Sequence, residues 1–263
     1  GAFPHAGNNI SDSMGGGHAH SGGMFYLGDT WPQQYRGQLF MNNIHGARLN
    51  VDKIEPQGSG YVGDRSPDFL LTNDLWSQIV YFRTGPDDAL YMIDWYDANQ
   101  CHRNEREVHD PTNGRVFRVT YKNAKPVKVD LAKASDDELI GYQLHKNDWY
   151  VRTARRILQE RAASGKLTAS SAKLEEIAFN HADETRRLRA LWALHDIGKL
   201  SPDMIVRAFE DKSPYARGWA TQLAMENRNP PASVREKLVS LAKTDPSPIV
   251  RLYLASAADR MNP

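Results

Sequence analysis

Glycine is spread so unevenly along this chain that one continuous architecture is excluded. Fifteen of the nineteen glycines, and six of the nine histidines, fall within the first 130 of 263 residues. Glycine weakens helix interiors and supplies the conformations that tight turns need. The first part is therefore built on turns and the remainder on helices.

Up to residue 130, short β-branched or aromatic runs alternate with Gly, Pro, Asn and Asp clusters, the pattern of an all-β region. The expected strands are 23–27, 38–42, 47–54, 68–71, 79–83, 89–94 and 116–121. Gly85, Pro86, Asp87 and Asp88 form a tight turn ahead of Leu90, Tyr91, Met92 and Ile93, a turn-then-strand unit common in β-propeller blades. A blade takes about 40–50 residues and a propeller about 4–8 blades, so this region supplies only two or three. It is expected to be the tail of a propeller.

From residue 131 onward an apolar residue followed by Arg recurs at Val151–Arg152, Leu188–Arg189, Ala216–Arg217 and Val250–Arg251. Each pair opens a helical face with apolar residues at i, i+3, i+4 and i+7; Ala216, Trp219, Ala220, Leu223 and Val250, Tyr253, Leu254, Ala257 are the most regular. Preceding helices are expected at 171–179, 202–209 and 233–242, and Asp148, Asp183, Ser213 and Ser247 stand where caps belong. Paired helices at this spacing describe a HEAT-like α-solenoid. The expected fold is thus all-β plus all-α: partial propeller over 1–130, helical repeats over 131–263.

Charge adds exclusions rather than a function. Thirty-three basic against 32 acidic residues give a net +1, divided as −3 up to residue 130 and +4 beyond it. Such a balance supplies no field for nucleic acid, and the helical arginines are expected to pair with Asp or carbonyl groups between repeats. One cysteine, Cys101, excludes an internal disulfide framework and a CxxCH haem site. The amino terminus shows neither an initiator Met nor a signal pattern, as expected after processing or truncation.

The stretch GGHAHSGGMFYLGDTWPQQYRGQLFMNNIHGARLNVDKIEPQGSGYVG resembles the last blades of a bacterial membrane-bound dehydrogenase family, related to sorbosone and glucose dehydrogenase-like propellers. The likeness continues through PDFLLTNDLW, GPDDALYMIDWYDANQCH and NGRVFRVTY into LHKNDWYVRTARRILQER. It implies a propeller, then HEAT repeats, then a haem-binding module outside this chain that receives electrons, as a cytochrome would. It further implies an extracytoplasmic, periplasmic setting, oxidation of a sugar or other alcohol, and pyrroloquinoline quinone with Ca²⁺ as cofactors. The alternative is a non-catalytic scaffold that binds carbohydrate or polysaccharide on the propeller, or a protein on the helical surface.

Four groups carry candidate chemistry. His18 and His20, two apart in an extended segment, share a face and suit a metal or a substrate hydroxyl; as loop histidines they would simply bond carbonyls. In NNIHGAR, His45 is a candidate base for a hydroxyl proton, and Arg48, beside Asn43, a candidate holder of an anionic cofactor carboxylate. A structural Asn–His–Arg network is the equal rival. Asp94 and Asp97 in IDWYDANQCH could ligate Ca²⁺ or cap the exit of a strand, with Cys101 and His102 following. His195 and Asp196 in HDIGK resemble the signature of HD-type metal phosphohydrolases, but no His follows Lys199 to complete that ligand set. Gly198 and Lys199 also read as an ordinary helix C-terminus.

Overall fold

The computed structural model describes residues 19–98 and 109–260. Two compact units emerge, the first from residues up to 55, 61–129 and 146–149, the second from 56–60, 130–145 and 150 onward. At coarse level the chain is two antiparallel sheets and eight helices among the described residues. No helix among them is long and apolar enough to cross a membrane.

The first sheet runs β1 (His20–Phe25), β2 (Leu39–Asn43), β3 (Arg48–Gln57) and β4 (Gly60–Leu71), and the second β5 (Ile79–Thr84), β6 (Leu90–Asp94) and β7 (Arg115–Val119). In both, consecutive strands are spatial neighbours, giving up-and-down meanders of four and three strands. Period-two patterning directs Phe40, Leu49 and Val51 from the first sheet, with Ile79, Phe82, Leu90 and Met92 from the second, into one core. β4 is much longer than its expected 68–71, because its first half is exposed and carries no buried stripe to announce it.

Buried carboxylates tie the irregular backbone of this unit together. Asp88 Oδ2 accepts from the Asp29 and Thr30 amides and the Thr30 hydroxyl at 2.7–3.0 Å, clasping one loop to the β5–β6 turn. Its other oxygen is buried without a partner among the described residues, and the residue holds φ +57, a conformation that favours glycine. Burial raises the Asp88 carboxyl above its ordinary range against the pull of these donors.

In the second unit the helices are α1 (Asp136–Gly141), α2 (Asp148–Ala163), α3 (Ala172–Asn180), α4 (Glu184–Asp196), α5 (Pro202–Ala208), α6 (Pro214–Ala224), α7 (Ala232–Thr244) and α8 (Pro248–Arg260). Leu191, Ala220, Leu238, Val250 and Leu254 build the core of its later part. α1 was not expected, although Ser135 and Glu138 form a reciprocal capping box at its start. Ahead of Trp149 the capping acceptor is Asn147, at 2.8 Å, rather than Asp148, which is itself helical.

An arginine rung repeats through these helices. Arg187 grips Asp211 with two bonds of 2.7 and 2.8 Å, and Arg217 grips Asp245 with bonds of 2.7 and 3.0 Å. Each arginine also donates backward to carbonyls before its own helix: Arg187 to His181 and Ala182, Arg217 to Asp211 and Lys212. Asp211 and Asp245 in turn accept from the Ser213 and Ser247 amides. Burial alone would raise both carboxyls, but the arginine bonds outweigh it and hold them low. The repeat register therefore runs Arg187, Arg217, Arg251; the expected Arg189 bonds the His145 carbonyl instead.

Candidate functional site

Antiparallel pairing decides which of the sequence candidates meet. In the ladder His20 lies opposite Asn43, Asn43 opposite Arg48, and Met41 opposite Asn50. Directly opposed residues share a face, so His20, Asn43, Arg48 and Asn50 stand together on the side of the first sheet away from Leu49 and Val51.

Hydrogen bonds join this face into one network. Asn50 Oδ1 lies 3.1 Å from His20 Nε2 and accepts from Asn43 Nδ2 at 3.0 Å. Asn50 Nδ2 donates to Asp68 Oδ1 at 2.8 Å, while Asp68 Oδ2 accepts from Arg48 at 3.0 Å and Arg65 at 3.2 Å. Asn43 and Asn50 are buried, Arg48 is half-buried, and His20 and Arg65 are exposed. The network thus rises from a fixed amide floor to a solvent-facing imidazole.

The β2–β3 turn explains the NNIHGAR string. Asn43 Oδ1 accepts from the Gly46 amide at 2.8 Å, and Arg48 Nε donates to the Gly46 carbonyl at 3.1 Å. A Cβ on Gly46 would come within 2.7 Å of the Asn43 amide, so glycine is what lets the turn close. Thr72 returns from the end of β4 to bond the Ala47 carbonyl through its amide and hydroxyl, both at 3.0 Å. His45 sits half-buried in this turn.

His18, Cys101 and His102 lie outside the described residues. Asp94 and Asp97 are fully buried within the first unit. Asp94 Oδ1 accepts from Ser77 and the Gln78 amide, and Oδ2 from Arg115 at 2.6–2.8 Å. Asp97 Oδ2 takes the Asp110 amide at 2.8 Å and lies 3.6 Å from His109. Both Asp94 oxygens are thus taken by N–H and O–H donors, one of them a guanidinium, whereas Ca²⁺ needs oxygen lone pairs. As placed, Asp94 and Asp97 fasten loops, the second of the two roles expected for them.

The HDIGK motif is likewise divided. His195 Nε2 lies 2.7 Å from Glu226 on one side, and Asp196 lies 3.2 Å from Arg155 on the other. Among the described residues no group of three or more His, Cys, Asp or Glu is arranged to hold a metal ion. Asp196 is raised by its burial, against the opposing pull of Arg155, and belongs to a charge pair at the end of α4.

Three participants escaped sequence reasoning: Asn50, Asp68 and Arg65. Asn50 stands two residues beyond Arg48 and so shares its face, a signal available once β3 is drawn. Asp68 and Arg65 reach the network from β4, and no local pattern announces that.

A sequence family described as a domain of unknown function (DUF7133) is similar to residues 3–123 of this chain. That span takes in both sheets and ends before the first helix. No curated protein matches the chain. No solved structure matches it either.

Proposed function

We propose that this chain is part of a dehydrogenase-like protein that oxidises a sugar or other alcohol, and that the polar face of the first sheet receives the hydroxyl-bearing ligand. The observation that carries this reading is the network joining His20, Asn43 and Arg48 through Asn50 and Asp68. Amides, imidazole and guanidinium in one hydrogen-bonded array match a ligand rich in hydroxyl donors and acceptors. His45, in the adjoining turn, is the base that would take the hydroxyl proton, and Arg48 orients the ligand's oxygen.

In the same reading the two meanders are terminal propeller blades and the helices a HEAT-like solenoid. Tyr81, Ile93 and Val116 lie in register across β5, β6 and β7 and are all exposed, as on a blade face meant for a neighbour. The repeating Arg–Asp rungs support the solenoid.

Alcohol oxidation also needs a hydride acceptor, which pyrroloquinoline quinone would supply when bound. The Arg48 guanidinium is engaged by Asp68 and the Gly46 carbonyl, and both Asp94 oxygens are taken by Ser77, Gln78 and Arg115. Arg48 and Asp94, so engaged, do not fit the expected cofactor pair, and in this reading the acceptor and the haem that follows it belong to other parts of the assembly. The setting is extracytoplasmic.

Dye-coupled oxidation of a panel of sugars and alcohols by the protein, with and without quinone and Ca²⁺, tests this. Turnover reduced about 100-fold by His45→Ala, within the range of general-base catalysis, is the expected result. Turnover that is absent, or untouched by that substitution, removes the assignment. A non-catalytic carbohydrate-binding scaffold is the second reading, favoured by how fully the network's groups satisfy one another; retention on a polysaccharide column without turnover selects it.

A further inference from the structure

The hydrogen bonds on the polar face of the first sheet have a direction, and the two ends of the network fix it independently. At one end the Gly46 backbone amide can only donate, so the Asn43 atom 2.8 Å away is the carbonyl Oδ1. Asn43 Nδ2 is left to face Asn50, and the Asn50 atom that receives it at 3.0 Å is Oδ1. At the other end Asp68 holds Arg48 at 3.0 Å and Arg65 at 3.2 Å, and a carboxylate so paired only accepts. The Asn50 atom 2.8 Å from Asp68 is therefore Nδ2, which again turns Oδ1 the other way. An amide set by a backbone N–H on one side and a carboxylate on the other has one orientation.

His20 inherits that direction. Its Nε2 lies 3.1 Å from Asn50 Oδ1, an atom with no proton to give. In the neutral ring one nitrogen donates and the other accepts, so the proton sits on Nε2 and the lone pair on Nδ1. Among the described residues the ring makes no other hydrogen bond. Asn50 is 3% exposed while His20 is open to solvent, so a buried amide decides what an exposed imidazole offers to a ligand.

We propose that His20 is the acceptor of this face, its Nδ1 taking a hydrogen bond from a ligand hydroxyl, and that Asn50 is the positioning residue that sets its tautomer. The ligand class narrows to molecules that bring an O–H to this point. An ether, carbonyl or carboxylate oxygen placed there meets lone pair with lone pair and loses the bond. The ligand assignment rests on the proposed oxidation of an alcohol by the same face, in which His45 is the base and His20 binds; the tautomer rests on the network alone.

Nitrogen-15 NMR of the full chain labelled at histidine, at about pH 8.5 where an ordinary imidazole is uncharged, reads the tautomer, with His20→Gln assigning the signal. A protonated Nε2 and a bare Nδ1 are expected, with the Nε2 proton exchanging at least about tenfold more slowly than that of a free imidazole. Asn50→Ala is expected to remove that protection, and the tautomer of the unaltered chain is decisive whether or not this variant folds. Sugars of the panel are expected to move the Nδ1 signal, and their fully O-methylated counterparts to leave it in place. On any alcohol that is oxidised, His20→Leu is expected to raise KM about tenfold, the loss of one hydrogen bond, with kcat kept within about twofold. A proton on Nδ1, protection indifferent to Asn50→Ala, an Nδ1 signal that no sugar moves, or a KM untouched by His20→Leu overturns the proposal. Absence of turnover with the Nδ1 response intact removes the oxidation and leaves the hydroxyl acceptor standing.

Discussion

The two units solve the same problem, holding loops against regular elements, in opposite ways. In the sheet unit each buried carboxylate is an individual arrangement: Asp88 clasps residues 29 and 30, Asp94 gathers Ser77, Gln78 and Arg115, and Asp97 holds Asp110. In the helical unit one arrangement is used twice in full, at Arg187–Asp211 and Arg217–Asp245. A unique node concentrates its donors on one residue. A repeated rung shares the load with its neighbours, so its loss should be felt locally and less severely.

The widest separation between the two designs is expected at Asp94. Asp94→Ala strands the Gln78 amide and deprives Arg115 of its buried partner, a loss of about 4 kcal/mol that urea denaturation followed by the β-sheet signal will measure. Arg217→Gln comes next, at about 3 kcal/mol, because Asp245 is left buried without its guanidinium. The exposed Arg156–Glu160 pair provides the control: Arg156→Gln should cost under about 0.5 kcal/mol. If Arg217→Gln equals Asp94→Ala, or falls to the level of the control, the contrast between unique node and shared rung fails.

A smaller effect comes from acid. Asp136 accepts from the Thr168 and Ala169 amides, the Thr168 hydroxyl and Arg161. Burial alone would raise its carboxyl, but these donors prevail and lower it to about 2. A depressed folded-state value favours folding in full above the ordinary carboxylate range and loses that contribution as the pH falls from about 4 to 2, at most about 2 kcal/mol. Urea midpoints of the protein and Asp136→Asn should therefore converge across that window. Parallel curves would separate Asp136 from the acid response of the helical unit.

How much was legible in the sequence follows the same division. Helices α3, α5 and α7 lie within a residue or two of their expected bounds, since each carries its own apolar period and end signals. The arginine register was displaced by two at α4, because Arg186, Arg187 and Arg189 lie close together and only the position of Asp211 selects among them. In the sheets, β2, β3, β5 and β6 follow their hydrophobic runs. The first half of β4 has no such run, being a solvated hairpin arm. Of the candidate site, the NNIHGAR turn explained Asn43 and Arg48 locally, but Asp68 joins them across twenty residues from Arg48. Only strand pairing brings it there.

The rung has a direction. The segment from Asp211 to Arg217 receives a guanidinium from Arg187 at its first residue and extends one to Asp245 from its last. Such a joint is heterologous rather than isologous: no rung can pair with another copy of itself by a two-fold axis. An array assembled through it has distinct receiving and reaching ends, and continues only as a receiving segment meets a reaching one.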